Sequence, residues 1–363
     1  MKKIFIICTF LVLNIFASAQ PPAGYYDAAA GLSGLALKTA LYNIIKGHTS
    51  ISYDDLYNAY VTTDNFPPSK VWDMYSIKAD STANYWYTNS ANSADQCGSY
   101  SSEGDCYNRE HSTPASWFND ATPMYSDLFN VYPTDGYVNN RRSNYPFAKV
   151  GSASYTSSNG SKVGTCSTTG YTGTVFEPID VYKGDFARTY FYMATRYENI
   201  VSNWPSYSTE CAAVYAGNGG LVFKPWYVTM LLSWCAMDTV SQKEIDRNNA
   251  VYAIQHNRNP YIDHPEWILA IWGPTSGIDQ QSNLVNVNVF PNPVSEVLTI
   301  ENYDTENSID KIEIFSYTSS LVQSIDKPAA GQTINVRNFS EGLYTLVFYC
   351  GDNISRKKVV VIH

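Results

Sequence analysis

The first domain of this 363-residue chain is organised around the stretch Tyr107-Asn-Arg-Glu-His-Ser-Thr-Pro114. A carboxylate stands directly before an imidazole, and His111 is one of only 5 histidines. A lone histidine is more often structural than catalytic, so position alone assigns no role to it. Adjacent side chains of a regular strand point to opposite faces. Glu110 and His111 can therefore share a site only if the strand ends or is distorted here, which Pro114 favours.

The N-terminus of the chain has the pattern of a targeting signal. Two lysines precede an apolar run, Ile4 to Phe16, and the small-x-small sequence Ala17-Ser-Ala19 follows. We therefore predict a signal peptide over residues 1–19. The run is too short for a membrane span and no second apolar stretch of that kind follows. The sequence predicts a secreted product, extracellular or at the cell surface, without a membrane span.

Six cysteines remain once Cys8 leaves with the signal. In an exported chain an even count fits disulfides, but six cysteines allow about 15 pairings. Cys97 and Cys106 enclose a short Gly- and Ser-rich loop just before the central stretch, so we predict that they pair. A cysteine-rich metal site is the alternative, and it lacks any CxxC spacing.

The balance of charges restricts how this chain could bind a polyanion. It has 24 Lys and Arg against 33 Asp and Glu, a net charge of -9. Such a balance argues against a protein that coats nucleic acid by bulk attraction. Any affinity for a polyanion must come from a local site.

Helical periodicity and capping residues dominate the sequence up to residue 272. The stretch from Asp80 to Cys106 is rich in Ser, Asn, Gly and Tyr and predicts long loops. Residues 20–272 are therefore predicted to form a mainly helical domain. Its helices are expected from about Ala28 to Lys46, from near Ser52 with Asp55 as capping partner, from Asp185 as N-cap through Tyr197, from Lys224 to Met237, and from Ser241 with Glu244 toward Gln255.

Composition changes after residue 272. Residues 273–288 are typical of a linker, and residues 289–363 carry short alternating runs separated by turn residues. This pattern predicts a small antiparallel β-sandwich, so the fold class is α+β. The strands are expected at Val297 to Glu301, Lys311 to Ile314, Ile334 to Val336, Leu343 to Tyr349 and Lys358 to Ile362.

The all-β domain resembles the C-terminal sorting domain of type IX secretion cargo. The resemblance rests on VFPNPVSEVLTIEN, EGLYTLVFY and SRKKVVVIH, in that order between Val289 and His363. It implies the type IX secretion machinery as a partner and transport across the outer membrane, followed by removal of the domain or anchoring at the surface. An ordinary carbohydrate-binding sandwich is the alternative.

The first domain resembles the secreted bacterial endonuclease I family. The resemblance runs from about Trp86 to Trp267 and rests on YNREHSTPASWF, SDLFNVYPTDGYVNNRRSNYPF, VFEPIDVYKGDFARTYFYMATRYE and RNNAVYAIQHNRNPYIDHPEW. It implies a ββα-metal, or His-metal finger, nuclease that cuts DNA and often RNA with a divalent cation and leaves 5′-phosphates. Asn139 follows His111 by 28 positions, which accommodates a short hairpin and the first turn of a helix.

The resemblance also implies roles for individual residues. His111 becomes the general base, and Glu110 and Asn139 become the metal ligands. Hydrolysis of a phosphodiester needs a base with a pKa near neutrality and a cation against the developing negative charge. A carboxylate and an amide oxygen suit Mg²⁺ with several waters retained. Magnesium is the expected cofactor, with Ca²⁺ and Mn²⁺ left open.

Three arginines complete the predicted site. Arg142 stands where the family has its arginine and is predicted to be catalytic by contacting phosphate. Arg109 and Arg141 are predicted to bind phosphate or DNA.

Five further positions are predicted to support the site or to be neutral. Phe129 replaces a histidine that many relatives carry, and Asn130 keeps one polar group there in a supporting role. Ala148 replaces a glycine without a catalytic consequence. Glu177 and Arg188 are predicted to ion-pair and hold a helix behind the site, with a contribution to the phosphate channel as the alternative.

A second polar cluster near the end of the first domain has metal-ligand residue types. It resembles a family segment that packs the end of the fold, so metal binding there is the less favoured interpretation. The cluster comprises His256, Asn257, Asn259, Asp263 and His264.

The sequence as a whole predicts a secreted, monomeric, metal-dependent endonuclease whose substrates are DNA and, as a further candidate, RNA. Two alternatives remain open. One is a cell-surface nucleic-acid-binding or adhesive protein on a decayed nuclease scaffold. The other is a metal phosphatase or phosphodiesterase acting on small substrates.

Overall fold

The computed structural model describes residues 21–217, 220–273, 287–302, 309–316, 321–350 and 353–363. The predicted signal peptide, residues 1–19, and most of the predicted linker, residues 274–286, lie outside them. The chain divides into two units, residues 1–273 and 274–363. Helices and small antiparallel sheets are both present, so the α+β class is confirmed.

The helices of the first unit surround a large aromatic core. Every residue of α4 is buried, so this helix passes through the centre of the unit. The helices are α1 (Gly34–Ile45), α2 (Leu56–Thr63), α3 (Gly136–Arg142), α4 (Lys183–Arg196), α5 (Thr209–Val214), α6 (Pro225–Met237), α7 (Gln242–Gln255), α8 (Pro260–Asp263) and α9 (Glu266–Trp272).

Within the described part of the first unit, the strands form three small antiparallel sheets. In one sheet β1 pairs with β2, in another β3 pairs with β4, and the third has the strand order β5-β6-β7. The strands are β1 (Asn65–Phe66), β2 (Lys70–Val71), β3 (Tyr107–His111), β4 (Val131–Asp135), β5 (Val150–Thr156), β6 (Lys162–Cys166) and β7 (Thr174–Glu177).

The observed N-termini of the helices can be compared with the predicted capping residues. The capping box of α7 is confirmed, because the Ser241 hydroxyl and the Glu244 side chain bond each other's backbone N–H groups. The predicted cap Asp185 is wrong: α4 already begins at Lys183, and Asp185 instead accepts from Lys243 at 2.6 Å. The predicted start near Ser52 is also early, because a Ser52 turn precedes the helix that starts at Leu56.

A hairpin and a helix form one continuous unit at the centre of the first domain. β3 and β4 pair antiparallel from Tyr107 opposite Asp135 to His111 opposite Val131, without a register shift. α3 begins at Gly136, directly after β4. The Asp135 carboxylate caps it by accepting from Val138 N at 2.8 Å. This connection places α3 against the strand that carries the predicted catalytic residues.

The Cys97–Cys106 disulfide closes the loop that enters β3. Its cysteines tie the hairpin to α3: Cys97 N donates to Tyr107 O, and Gly136 N donates to Cys106 O, each at 2.9 Å. A side chain at Gly136 would collide with the Cys97 sulfur. The predicted pairing is confirmed, whereas Cys166, Cys211 and Cys235 are free thiols and not the further disulfides that an even count favoured.

Removing this disulfide is expected to destabilise the first unit. The double variant Cys97→Ser/Cys106→Ser should lose about 2–3 kcal/mol of unfolding free energy, because the bond restricts a loop of sequence separation 9 in the unfolded chain. Urea unfolding followed by tryptophan fluorescence measures this change, since all 8 tryptophans lie between Trp72 and Trp272. Cys166→Ser is the control, and equal stability of the double variant and wild type would contradict the expectation.

The described residues of the second unit form two antiparallel sheets that share a buried core. Their strand orders are β12-β9-β8 and β11-β10-β13-β14, and residues of both sheets contribute to the core. The observed strands overlap all five predicted runs. They are β8 (Val287–Phe290), β9 (Val297–Asn302), β10 (Lys311–Ser316), β11 (Leu321–Asp326), β12 (Thr333–Asn335), β13 (Gly342–Cys350) and β14 (Asn353–Val361).

Candidate active site

The two faces of β3 carry two different sets of polar side chains. Asn108 and Glu110 face α3, where they contact Asn139 and Arg142. His111 projects from the other face, among tyrosine rings. The pairing is regular and β3 ends at His111, so the two side chains leave opposite faces at the end of the strand, the condition under which they can still approach one site.

Glu110 is a buried carboxylate with one oxygen engaged and one free. Its Oε1 lies 2.9 Å from the Arg142 guanidinium and accepts from the Tyr75 hydroxyl at 2.9 Å. Its Oε2 has no hydrogen-bond partner among the described residues. Burial raises the pKa of Glu110 to about 7, although Arg142 and Tyr75 act in the opposite direction. This oxygen is not among the fully buried side-chain atoms that lack a partner, so it keeps some access to solvent, which suits a position for a cation.

Asn139 lies in the middle of α3, half-buried beside this carboxylate's strand. Its amide nitrogen donates to Asn108 Oδ1 at 2.7 Å. This hydrogen bond orients the amide and leaves Asn139 Oδ1, the atom a metal would take, unbonded among the described residues. The amide oxygen of Asn139 and Oε2 of Glu110 are thus two hard oxygen donors supplied by adjacent elements.

The His111 imidazole is held in one orientation by its neighbours. Its Nε2 lies 2.9 Å from the carbonyl oxygen of Tyr125. The Tyr125 ring lies 4.8 Å from the imidazole centre, and the Tyr53 ring is nearly parallel to the imidazole at 5.8 Å. A carbonyl only accepts, so Nε2 carries the proton and Nδ1 presents its lone pair. Burial lowers the pKa of His111 to about 4, against the opposing effect of the Tyr125 carbonyl. The imidazole is therefore neutral at pH 7 and can accept a proton.

The Arg142 side chain points into the protein interior. It is 1% exposed, and besides Glu110 it donates to the backbone carbonyls of His111, at 2.7 Å, and Ser112. This placement differs from the phosphate contact predicted for it, because the buried Glu110 carboxylate requires a counter-charge. Arg142 thus links the strand that carries Glu110 and His111 to the end of α3.

The other two arginines are closer to solvent. The Arg109 guanidinium lies 3.7 Å from the Tyr53 ring centre and also donates to Asp54 at 3.2 Å. Arg141 is exposed and forms no salt bridge with any described residue; its guanidinium lies 4.8 Å from the Tyr137 ring centre. Of the three arginines, Arg141 is the one whose charge is open to a ligand.

The residues predicted to support the site have structural contacts. Asn130 exchanges two hydrogen bonds with the Thr113 backbone, 2.8 and 3.2 Å long, which fixes the turn after β3. Glu177 accepts from Lys183 at 2.7 Å and from Val150 N at 2.9 Å. Arg188 forms a two-point ion pair with Glu244. Phe129 is buried.

The second polar cluster does not converge on one point. His256 bonds Thr49, and His264 stacks on Trp267 with ring centres 4.0 Å apart. Asp263 is paired with Arg258 at 2.7 Å. Within the part of the chain that the structure describes, no three His, Cys, Asp or Glu side chains form a group that could hold a metal ion. Any metal at the hairpin would therefore use Glu110, an amide and water.

Four residues that orient the site were not predicted from the sequence: Asn108, Tyr53, Tyr75 and Tyr125. Only Asn108 had a usable signal, because the period of two along β3 places it on the face of Glu110. The three tyrosines come from segments distant in sequence or from an irregular turn, and no local pattern marks them.

The hairpin-helix unit combines a neutral imidazole, a carboxylate and an amide, which are groups that hydrolytic enzymes use. Residues 33–266 match the Endonuclease I family, and residues 288–362 match the secretion system C-terminal sorting domain. The chain belongs to the Endonuclease I family, and it is a secreted nuclease with a sorting domain.

Several curated relatives are similar over the first unit. An extracellular ribonuclease of Bacillus amyloliquefaciens is 37% identical over 253 residues, which cover 68% of this chain and 78% of that protein. The extracellular ribonuclease of Bacillus subtilis is 35% identical over 269 residues, with coverage of 72% and 83%. Endonuclease-1 of Buchnera aphidicola subsp. Baizongia pistaciae is 28% identical over 138 residues, with coverage of 38% and 46%. No helix among the described residues is long and apolar enough to cross a membrane.

Proposed function

We propose that this secreted nuclease is a divalent-metal-dependent endonuclease with little sequence preference that hydrolyses DNA and RNA to products with 5′-phosphates. The observation that carries the proposal is the pair of unbonded oxygens, Glu110 Oε2 and Asn139 Oδ1, on a hairpin-helix unit that also holds His111 with a free Nδ1. The relatives named above include two extracellular ribonucleases and an endonuclease, which supports both substrates.

Glu110 and Asn139 would hold the cation, most suitably Mg²⁺ with several of its waters retained. The cation supplies positive charge against the phosphate oxygens and the leaving 3′-oxygen. Asn108 orients the Asn139 amide through its nitrogen. Arg142 and Tyr75 hold Oε1 of Glu110, so Oε2 is aimed in one direction.

His111 acts as the general base. Its Nδ1 takes a proton from the attacking water, because Nε2 is already committed to the Tyr125 carbonyl. The ring stack with Tyr53 and Tyr125 prevents the imidazole from turning, so the lone pair stays aimed at one position. Arg141, exposed on a different face of α3 from Asn139, supplies a contact to the phosphate backbone of the substrate. Arg142 acts as a positioning residue through Glu110 and the His111 carbonyl.

Chelation is expected to abolish activity. Purified mature protein with Mg²⁺ should degrade supercoiled plasmid, single-stranded DNA and RNA, and excess EDTA should stop all three reactions, because the site has too little positive charge of its own near the phosphate. Gel digestion with and without EDTA measures this, and Mg²⁺ added back in excess is the control. Undiminished cleavage in EDTA would contradict the metal role, and retention of DNA with no cleavage over Mg²⁺, Mn²⁺ and Ca²⁺ would indicate a binding protein.

A further inference from the structure

An open depression of about 540 Å³ lies next to the outer face of α3. Its walls include Tyr137 of α3, Tyr85, Asn84 and Glu103. Tyr137 is two positions from Asn139 on the same short helix, so the two side chains leave α3 on different faces and the depression lies away from the proposed metal ligands. None of these wall residues has a role in the proposed hydrolysis.

Two tyrosine rings and Arg141 form a platform beside this depression, and of the three residues Tyr137 also lines it. The Tyr137 and Tyr155 rings meet edge to face with centres 6.2 Å apart. The Arg141 guanidinium lies 4.8 Å from the first ring centre and 5.5 Å from the second, and it also donates to the Tyr137 hydroxyl. These contacts hold the guanidinium against the rings while Arg141 stays exposed. Aromatic and guanidinium planes of this kind stack on nucleobases.

Glu103 determines which part of a nucleotide the depression would accept. Its carboxylate accepts from the Tyr155 hydroxyl, from Ser158 N at 2.8 Å and from the Tyr85 hydroxyl at 3.5 Å. A carboxylate held in the wall repels phosphate, whereas it can accept from the N–H groups of a base. The phosphate would therefore meet Arg141 and the base would enter the depression.

We propose that Tyr137, Tyr155 and Arg141 form a base-stacking platform, on a different face of α3 from Asn139, that binds an unpaired nucleotide away from the cleaved bond and gives this enzyme a preference for single-stranded nucleic acid. The inference rests on the proposed nuclease function and names its preferred substrate class. Bases inside a duplex are stacked on each other and cannot lie on this platform, whereas every unpaired base offers a flat face. The platform therefore distinguishes single-stranded from double-stranded nucleic acid and does not distinguish base sequences.

The test compares binding of a short fluorescein-labelled single strand and of the duplex of the same sequence, by fluorescence anisotropy in EDTA at low salt. Wild type should bind the single strand more tightly. Tyr155→Ala should lower single-strand affinity roughly tenfold and change duplex affinity by less than about twofold. Tyr155→Phe keeps the ring and should behave as wild type. Tyr171→Ala, which removes a different half-buried tyrosine stacked on Trp226, is the matched control.

Arg141→Ala is the second variant, because substitution of this exposed residue leaves the fold intact. Its single-strand affinity should fall at least about fivefold more than its duplex affinity. Equal losses on both substrates in either variant, or no loss, would overturn the platform. Binding is measured without metal. If the wild type prefers the single strand to the duplex but cleaves neither, only the nuclease proposal is contradicted. If the wild type cleaves nucleic acid but binds the single strand and the duplex equally well, only the platform proposal is contradicted.

Discussion

His111→Ala is expected to lower the rate of phosphodiester cleavage by about a hundredfold to ten-thousandfold, with substrate affinity largely retained. The imidazole is the one proton acceptor on β3 that is neutral at pH 7, and its Nε2 bond to the Tyr125 carbonyl leaves Nδ1 for the water. No other group on this face of the strand can replace it, since Arg109 cannot accept a proton. Initial rates on a quenched fluorescent oligonucleotide with saturating Mg²⁺ measure the effect.

His264→Ala is the matched control for this substitution. His264 also stacks on an aromatic ring, that of Trp267, and is partly exposed, but it lies outside the hairpin-helix unit. Its loss should leave the rate within about twofold of wild type, since isolated surface substitutions have small effects. Near wild-type cleavage by His111→Ala would show that the base has been assigned to the wrong residue.

Arg142→Met is expected to lower the unfolding free energy by about 3–5 kcal/mol at pH 8, because it leaves the Glu110 carboxylate buried without its counter-charge. It should also remove most activity, since Glu110 and the His111 carbonyl lose a common partner. Urea unfolding followed by tryptophan fluorescence, with metal absent, measures the stability.

The loss of stability caused by Arg142→Met should be larger at high pH than at low pH. Burial raises the pKa of Glu110 from 4.5 to about 7, so the native protein holds a proton that the unfolded chain releases between these values. Stability of the metal-free wild type therefore contains a contribution that is lost as pH rises from 4.5 to 7. With Arg142 absent the ionised form is still less favourable, so Arg142→Met should lose less stability at pH 5 than at pH 8.

The neighbouring arginine provides the control. Arg141→Met removes an exposed guanidinium that has no carboxylate partner among the described residues and should change stability by less than about 0.5 kcal/mol. The double variant Glu110→Gln/Arg142→Met should be more stable than Arg142→Met, because it no longer buries an unpaired charge. Equal stability of Arg142→Met and Arg141→Met at pH 8 would contradict the buried ion pair.

Local sequence patterns anticipated the elements whose causes are local. The capping box of Ser241 and Glu244 involves groups three residues apart, and Cys97 and Cys106 are joined across a short loop. Alternation with a period of two similarly marked the strands of the second unit. Asp185 shows where local patterns fail as predictors. Its carboxylate has the right chemistry for a helix cap, but in the folded protein it pairs with Lys243 of another helix.

The sequence by itself determined which chemical groups this protein brings to its site, and where the chain forms a strand, a turn and a helix around them. Only the tertiary structure decided what each group faces. It buried Arg142 against Glu110, left Arg141 in solvent, and placed the Tyr125 carbonyl on His111 Nε2 so that Nδ1 is free. Capping and alternation are set by neighbours within a few residues, whereas burial and counter-charge depend on which distant segments pack together.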